Sequence, residues 1–149
     1  MLKKIAVVLG FVSVPLIAQE TRVQMKDLPP AVQKAVLEQT RTAKLRGLSK
    51  EVENGKTFYE AETTLNGKSR DVLLDPAGTV VEVEEATTLA AIPEAARKAF
   101  QQQAGPAGKI LSVETVTKGS VTNYEAVIQK GGKKSEVAIH ADGSPAKED

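Results

Sequence analysis

"FYEAETTLNG" at residues 58–67 and "NYEAVIQKGG" at residues 123–132 are two versions of one phrase, an alternating strand that carries Tyr-Glu-Ala and runs into a glycine turn. Sliding the chain on itself extends the match in both directions. At an offset of 64, "LPPAVQKAVLEQ" from Leu28 meets "IPEAARKAFQQQ" from Ile92. One extra residue near Gly105 and Pro106 moves the offset to 65, and then Lys44 meets Lys109, Gly67 meets Gly132, Val72 meets Val137 and Gly78 meets Gly143. A register that persists through helix, strand and turn positions reads as a duplication.

Each copy opens with proline at the first helical turn, where a missing N–H is harmless. Apolar residues then follow three and four apart, Val32, Ala35 and Val36 in one copy and Ala96, Ala99 and Phe100 in the other, so one amphipathic helix is expected in each. Downstream the period changes to two. Tyr59, Ala61 and Leu65 alternate with Phe58, Glu60, Glu62 and Thr64, as they would in a half-buried antiparallel strand. Asn54-Gly55, Asn66-Gly67 and Asp75-Pro76-Ala77-Gly78 supply turns. Strands are predicted near 44–53, 57–65, 69–74 and 79–84, then near 109–117, 121–129 and 134–140, with a short one after Gly143. The expected fold class is α+β: two tandem repeats, at 27–85 and 91–146, each one helix packed on a small antiparallel β-sheet of three to four strands. "EEATTLAA", residues 84–91, reads as the link between them. Two packings stay open, a two-fold-related pair and a continuous sheet.

The first eighteen residues, "MLKKIAVVLGFVSVPLIA", have the layout of a secretory signal peptide: Lys3 and Lys4, an apolar run from Ile5 to Ile17, then Ala18. Cleavage after Ala18 and a periplasmic or secreted product are expected. The run is shorter than the roughly 20 apolar residues of a membrane-spanning helix, so no stable membrane insertion is expected after cleavage. Cysteine is absent, which excludes a lipobox, disulfide staples and thiolate metal sites. The chain has 20 basic and 19 acidic residues, and losing Lys3 and Lys4 leaves 18 against 19, which gives no electrostatic case for nucleic acid. With Phe58, Tyr59, Phe100 and Tyr124 as the aromatic residues after Ala18, the core must rest on Val, Leu, Ile and Ala.

Chemistry-bearing residues are few. His140 is the one histidine, and its place beside a turn favours a structural reading over a catalytic triad or a zinc ligand. Gly131-Gly132 before Lys133-Lys134 lacks the spacing and following helix of a phosphate loop and reads as a hairpin. Tyr59 and Tyr124 are in phase with Ala61 and Ala126, which puts them on the helix-covered face. Strand alternation gathers Glu60, Glu62, Glu82 and Glu84 on the opposite, open face, with Glu125 at the matching place in the second copy. Arg70, Lys68 and Lys133 are the expected cation partners there. No catalytic residue, metal or cofactor is expected, and the chain is read as non-enzymatic. The candidate protein-binding face is Glu60, Glu62, Arg70, Glu82 and Glu125.

With these residues in view, the order of "LPPAV" or "IPEAA", short helix, Tyr-Glu strand, glycine hairpin, alternating strand and Asp/Gly turn resembles the PepSY and PepSY-like modules of secreted bacterial proteins. The resemblance implies a helix on a small antiparallel sheet, and it covers both copies. Such modules occur in peptidase propeptides, where they inhibit, and as free-standing periplasmic proteins, and paired units of similar plan occur in the β-lactamase inhibitory protein. No peptidase domain follows within the chain, so action in trans is expected. The implied function is an exported module that inhibits or modulates a secreted or envelope protein such as a peptidase through its open sheet face. An envelope structural or stress-response protein with no stoichiometric target is the alternative. The absence of Trp and the presence of two Tyr depart from the aromatic anchors usual in tight inhibitors.

Overall fold

The computed structural model describes residues 20–147, so the signal-peptide reading of residues 1–18 lies outside the described residues. In chain order the elements are β1 (Thr21–Arg22), a single 3-10 turn (Met25–Asp27), α1 (Pro30–Gln39), β2 (Lys44–Glu53), β3 (Lys56–Leu65), β4 (Lys68–Leu74), β5 (Val80–Thr87), α2 (Glu94–Ala104), β6 (Lys109–Lys118), β7 (Val121–Lys130) and β8 (Lys133–His140). The strands form one eight-stranded antiparallel sheet in the order β1 to β8.

That continuity overturns the expectation of two tandem helix-on-small-sheet repeats. β5 pairs with β6 from Val83↔Thr117 to Thr87↔Val113. The physical reason lies in the segment read as a link: Glu85, Ala86 and Thr87 continue β5, so the two would-be edges satisfy each other's backbone N–H and C=O groups instead of facing water. The remaining strands after each helix begin and end within about one residue of their predicted bounds. Beyond Gly143 only an isolated bridge forms, Ile139↔Pro145.

Both helices lie on one face of the sheet. α1 buries Val32, Ala35 and Val36 against Leu48, Ala61, Val72 and Leu74. α2 buries Ala96, Phe100 and Ala104 against Val113, Ala126, Ile128 and Ile139. Phe100 is fully buried, and covering a side chain of that size contributes about 2–3 kcal/mol. Tyr59 and Tyr124 pack at the margins of these two clusters, on the helix side as their phase predicts. The hairpins β2–β3 and β3–β4 turn on Asn54-Gly55 and Asn66-Gly67, all four at positive φ, as two-residue hairpins of the favoured type require. Bulges between Leu45 and Gly47 and between Ile110 and Ser112 kink β2 and β6 and add twist. The opposite face carries no helix and is concave: residues of every strand from β2 to β8 line one groove on it.

Candidate protein-interaction face

Strand register builds the groove from carboxylates. Glu62 of β3 stands opposite Asp71 of β4, which stands opposite Glu84 of β5. One rung along, Glu60 faces Leu73, and Leu73 faces Glu82. Glu114 of β6 lies directly across from Glu125 of β7, a like-charge pair that costs stability when both ends are ionised. The groove holds about 230 Å³, and its walls include Glu51, Glu60, Asp71, Glu82, Glu84 and Glu125. Leu73, Val116 and Ala138 form an apolar floor, and Lys118 and Lys147 stand on its rim. Val116 is 1% exposed although it points away from both helices, so the acidic walls are built around apolar surface.

Cations reach part of this array. Arg22 pairs with Glu62, Arg46 Nη2 lies 2.9 Å from Asp71 Oδ1, and Lys118 Nζ lies 3.1 Å from Glu82 Oε2. The Arg46 guanidinium also donates to Ser69 Oγ at 2.7 Å and to the Thr63 carbonyl at 3.2 Å. Glu60 instead accepts a hydrogen bond from Ser49 Oγ at 3.2 Å. Among the described residues no cation lies within ion-pair distance of Glu51, Glu60, Glu84 or Glu114. Burial, reinforced by the charges of Glu51 and Asp71, pushes the Glu60 carboxyl up to about 7. Burial and then Glu82, Glu114 and Glu125 push Glu84 up to about 9. Burial also raises Glu51 and Glu114. Near neutral pH the walls of the groove therefore hold carboxylic acids beside carboxylates, able both to donate and to accept hydrogen bonds.

Of the residues singled out in the sequence, Glu60, Glu62, Glu82, Glu84 and Glu125 are brought together on the open face. Arg70 is not. It sits on the helix side, where Nη2 donates to Gln39 Oε1 of α1 at 3.0 Å and Nε lies 3.3 Å from Glu85 Oε1. The alternation that turns Val72 and Leu74 inward carries Arg70 with them, a phase legible in the sequence and misassigned there. Lys68 and Lys133 are likewise replaced as cation partners by Arg22, Arg46 and Lys118. Glu51, Asp71 and Glu114 join the face, each in phase with an already recognised neighbour. Arg46 occupies the bulge of β2, where simple alternation gives no direction.

His140 closes β8, and its Nδ1 lies 2.7 Å from Asn123 Oδ1. The ring is half-buried at the end of the strand rather than exposed in the turn. Carboxylate oxygens of Glu20, Glu60 and Glu62 lie within 4.8 Å of one another, and Arg22 supplies countercharge at Glu62.

No protein-family model and no curated protein matches the chain. Solved structures do. A candidate periplasmic protein from Bacteroides eggerthii DSM 20697 superposes with a TM-score of 0.66 at 21% identity, over 80% of this chain and 86% of that one. A DUF2874 family protein from Bacteroides uniformis ATCC 8492 gives 0.64 at 20% identity, over 80% and 86%. A BLIP-like protein from Bacteroides fragilis NCTC 9343 gives 0.57 at 18% identity, over 80% and 83%. At these identities the likeness is one of fold.

Proposed function

We propose that the protein is exported and non-enzymatic, and that it binds a protein or peptide partner in the concave sheet face, inhibiting or modulating that partner. One observation carries the reading: both helices cover the same side of the sheet, leaving a groove with an apolar floor and carboxyl walls. A monomer gains nothing in stability from like-charged carboxyls crowded over buried apolar surface, whereas a partner bearing donors or cations gains contacts. The BLIP-like description of the Bacteroides fragilis neighbour supports an inhibitor-type module. Export is supported by the Lys3-Lys4, apolar, Ala18 layout and by the periplasmic description of the Bacteroides eggerthii neighbour. No helix among the described residues is long and apolar enough to cross a membrane. A PepSY-like origin belongs to the same proposal, supported by Leu28-Pro29 and Ile92-Pro93 at the heads of α1 and α2.

The test is affinity capture from an envelope extract with the wild-type chain and with the double charge reversal Glu60→Lys and Glu125→Lys. One saturable protein captured by the wild type and lost by the variant supports the reading. Recovery of no saturable protein favours a structural envelope role.

A further inference from the structure

The sheet has two edges, and they differ. At one, the short strand β1 covers the middle of β2, and β2 is bulged between Leu45 and Gly47. Both devices blunt an edge against further pairing. At the other, β8 runs from Lys133 to His140 without a bulge, with β7 as its one strand partner. The chain that follows caps only the far end of β8: His140 N–H donates to the Ser144 carbonyl at 2.9 Å, and Ala146 N–H donates to the Ala138 carbonyl at 3.0 Å. Residues 138 and 140 therefore turn backbone groups outward, and the alternation of an antiparallel ladder turns those of Lys134 and Glu136 outward too. Among the described residues nothing bonds these outward groups, and neither side chain has an ion pair. Lys133, Lys134, Ser135 and Glu136 are all exposed.

We infer that this open stretch of β8 binds a second copy of the chain, β8 against β8, antiparallel about a two-fold axis at Ser135. Charge and backbone bonding select the same register. With Ser135 opposite its own copy, Lys134 lies across from the second copy's Glu136 and Glu136 across from its Lys134, and these two residues use all their outward N–H and C=O groups. Unlike charges directly opposed favour a strand pair. Centring the pair one residue earlier or later sets Lys134 against Lys134 or Glu136 against Glu136, so the neighbouring registers are repulsive. An edge lysine repels strands that lack the matching acid, which makes the charges selective for this chain. The contact is isologous and closes at two copies. In this register the Gly131-Gly132 turn of the second copy comes beside Ala138, the place held by Ala146, so the chain after β8 guards the edge and gives up one bond on association. The contact does not depend on partner capture by the groove.

The experiment is sedimentation velocity of the purified protein over a rising concentration series at low salt, with circular dichroism to check that each variant is folded. The variants are Lys134→Glu, Glu136→Lys, the double swap of both, and Ala146→Pro, which removes the N–H donated to Ala138. The wild type should pass from monomer to dimer as concentration rises. Either single reversal should weaken the dimer by about tenfold or more, since two unlike pairs become like pairs. The double swap should restore it, and so should mixing the two single variants, whose edges then carry opposite charge at both positions. Ala146→Pro should tighten it by about threefold or more, because the guarding bond is gone. A chain that stays monomeric at every concentration, both as wild type and as Ala146→Pro, overturns the inference. So does a dimer that the single reversals leave unchanged or that the double swap fails to restore.

Discussion

Gly78 presses its Cα against the carbonyl of Ala31: a Cβ built at Gly78 would lie 2.5 Å from that oxygen. Gly143 stands in the same relation to Ala95, at 2.9 Å. Each turn, the first after β4 and the second after β8, is thus clamped onto the first turn of a helix. The first is further fixed by Asp75 Oδ1, which accepts from the amides of Ala77 and Thr79 at 2.9 Å. Gly78 has φ +80, while Gly55 has φ +76 with open space where a Cβ would go. Gly55→Ala should therefore cost about 1 kcal/mol from backbone strain alone, and Gly78→Ala about 2–3 kcal/mol because the helix must also shift. Equal losses in urea unfolding would show that the turn does not clamp α1.

A continuous sheet should unfold as one unit. Phe100→Ala beside α2 should cost about 3–5 kcal/mol, and Val72→Ala beside α1 about 2–3 kcal/mol, through lost burial and the cavity left behind. Circular dichroism and intrinsic tyrosine fluorescence should report one shared transition in both variants. Two separated transitions, one for each half, would contradict the fold described above.

Arg70→Ala should lower stability by about 1–2 kcal/mol, since it strands Gln39 and Glu85 on the helix side. It should leave partner capture at wild-type strength. Loss of capture with unchanged stability would return Arg70 to the interaction face.

Glu60 provides the pH test on the β2–β3 side. Its raised proton affinity means that the stability it adds at low pH is lost as pH rises from the ordinary carboxyl range through about 7. Glu60→Gln should match the wild type near pH 4 and exceed it at pH 8 by roughly 1 kcal/mol, once screening of this partly exposed group is allowed for. A variant that is less stable than wild type at both pH values would show that the Ser49 hydrogen bond outweighs the repulsion.

Local pattern reached far in this chain. The 3.6-residue spacing of Val32 and Val36, the period-two run around Tyr59 and the Asn-Gly turns each depend on neighbours a few residues away, and those elements form where the spacing places them. What decides the architecture is not local. Glu85-Ala86-Thr87 has no turn residue and no strong alternation, so nothing nearby marks it as the strand end that joins β5 to β6. The pairing comes from unsatisfied backbone groups on two edges far apart in sequence. The acidic face was legible for the same reason the strands were, since alternation groups Glu60, Glu62, Glu82 and Glu84. Its concavity and its apolar floor at Val116 were not, because they follow from the joined sheet and its bulges. Arg70 was legible and misread, and holding its phase to Val72 would have placed it correctly.

The concave carboxyl-walled face, and no other surface, is proposed to meet the partner. A photo-crosslinking amino acid placed at Leu73, on the groove floor, and separately at Leu37, 61% exposed on the outer side of α1, tests it most directly in living cells. Neither position holds a charge of the groove, and both point away from the cores in which the helices are buried. One discrete adduct is expected from position 73, abolished by Glu60→Lys with Glu125→Lys, and none from position 37. The same adduct from both positions, or an adduct from position 37 alone, would contradict it.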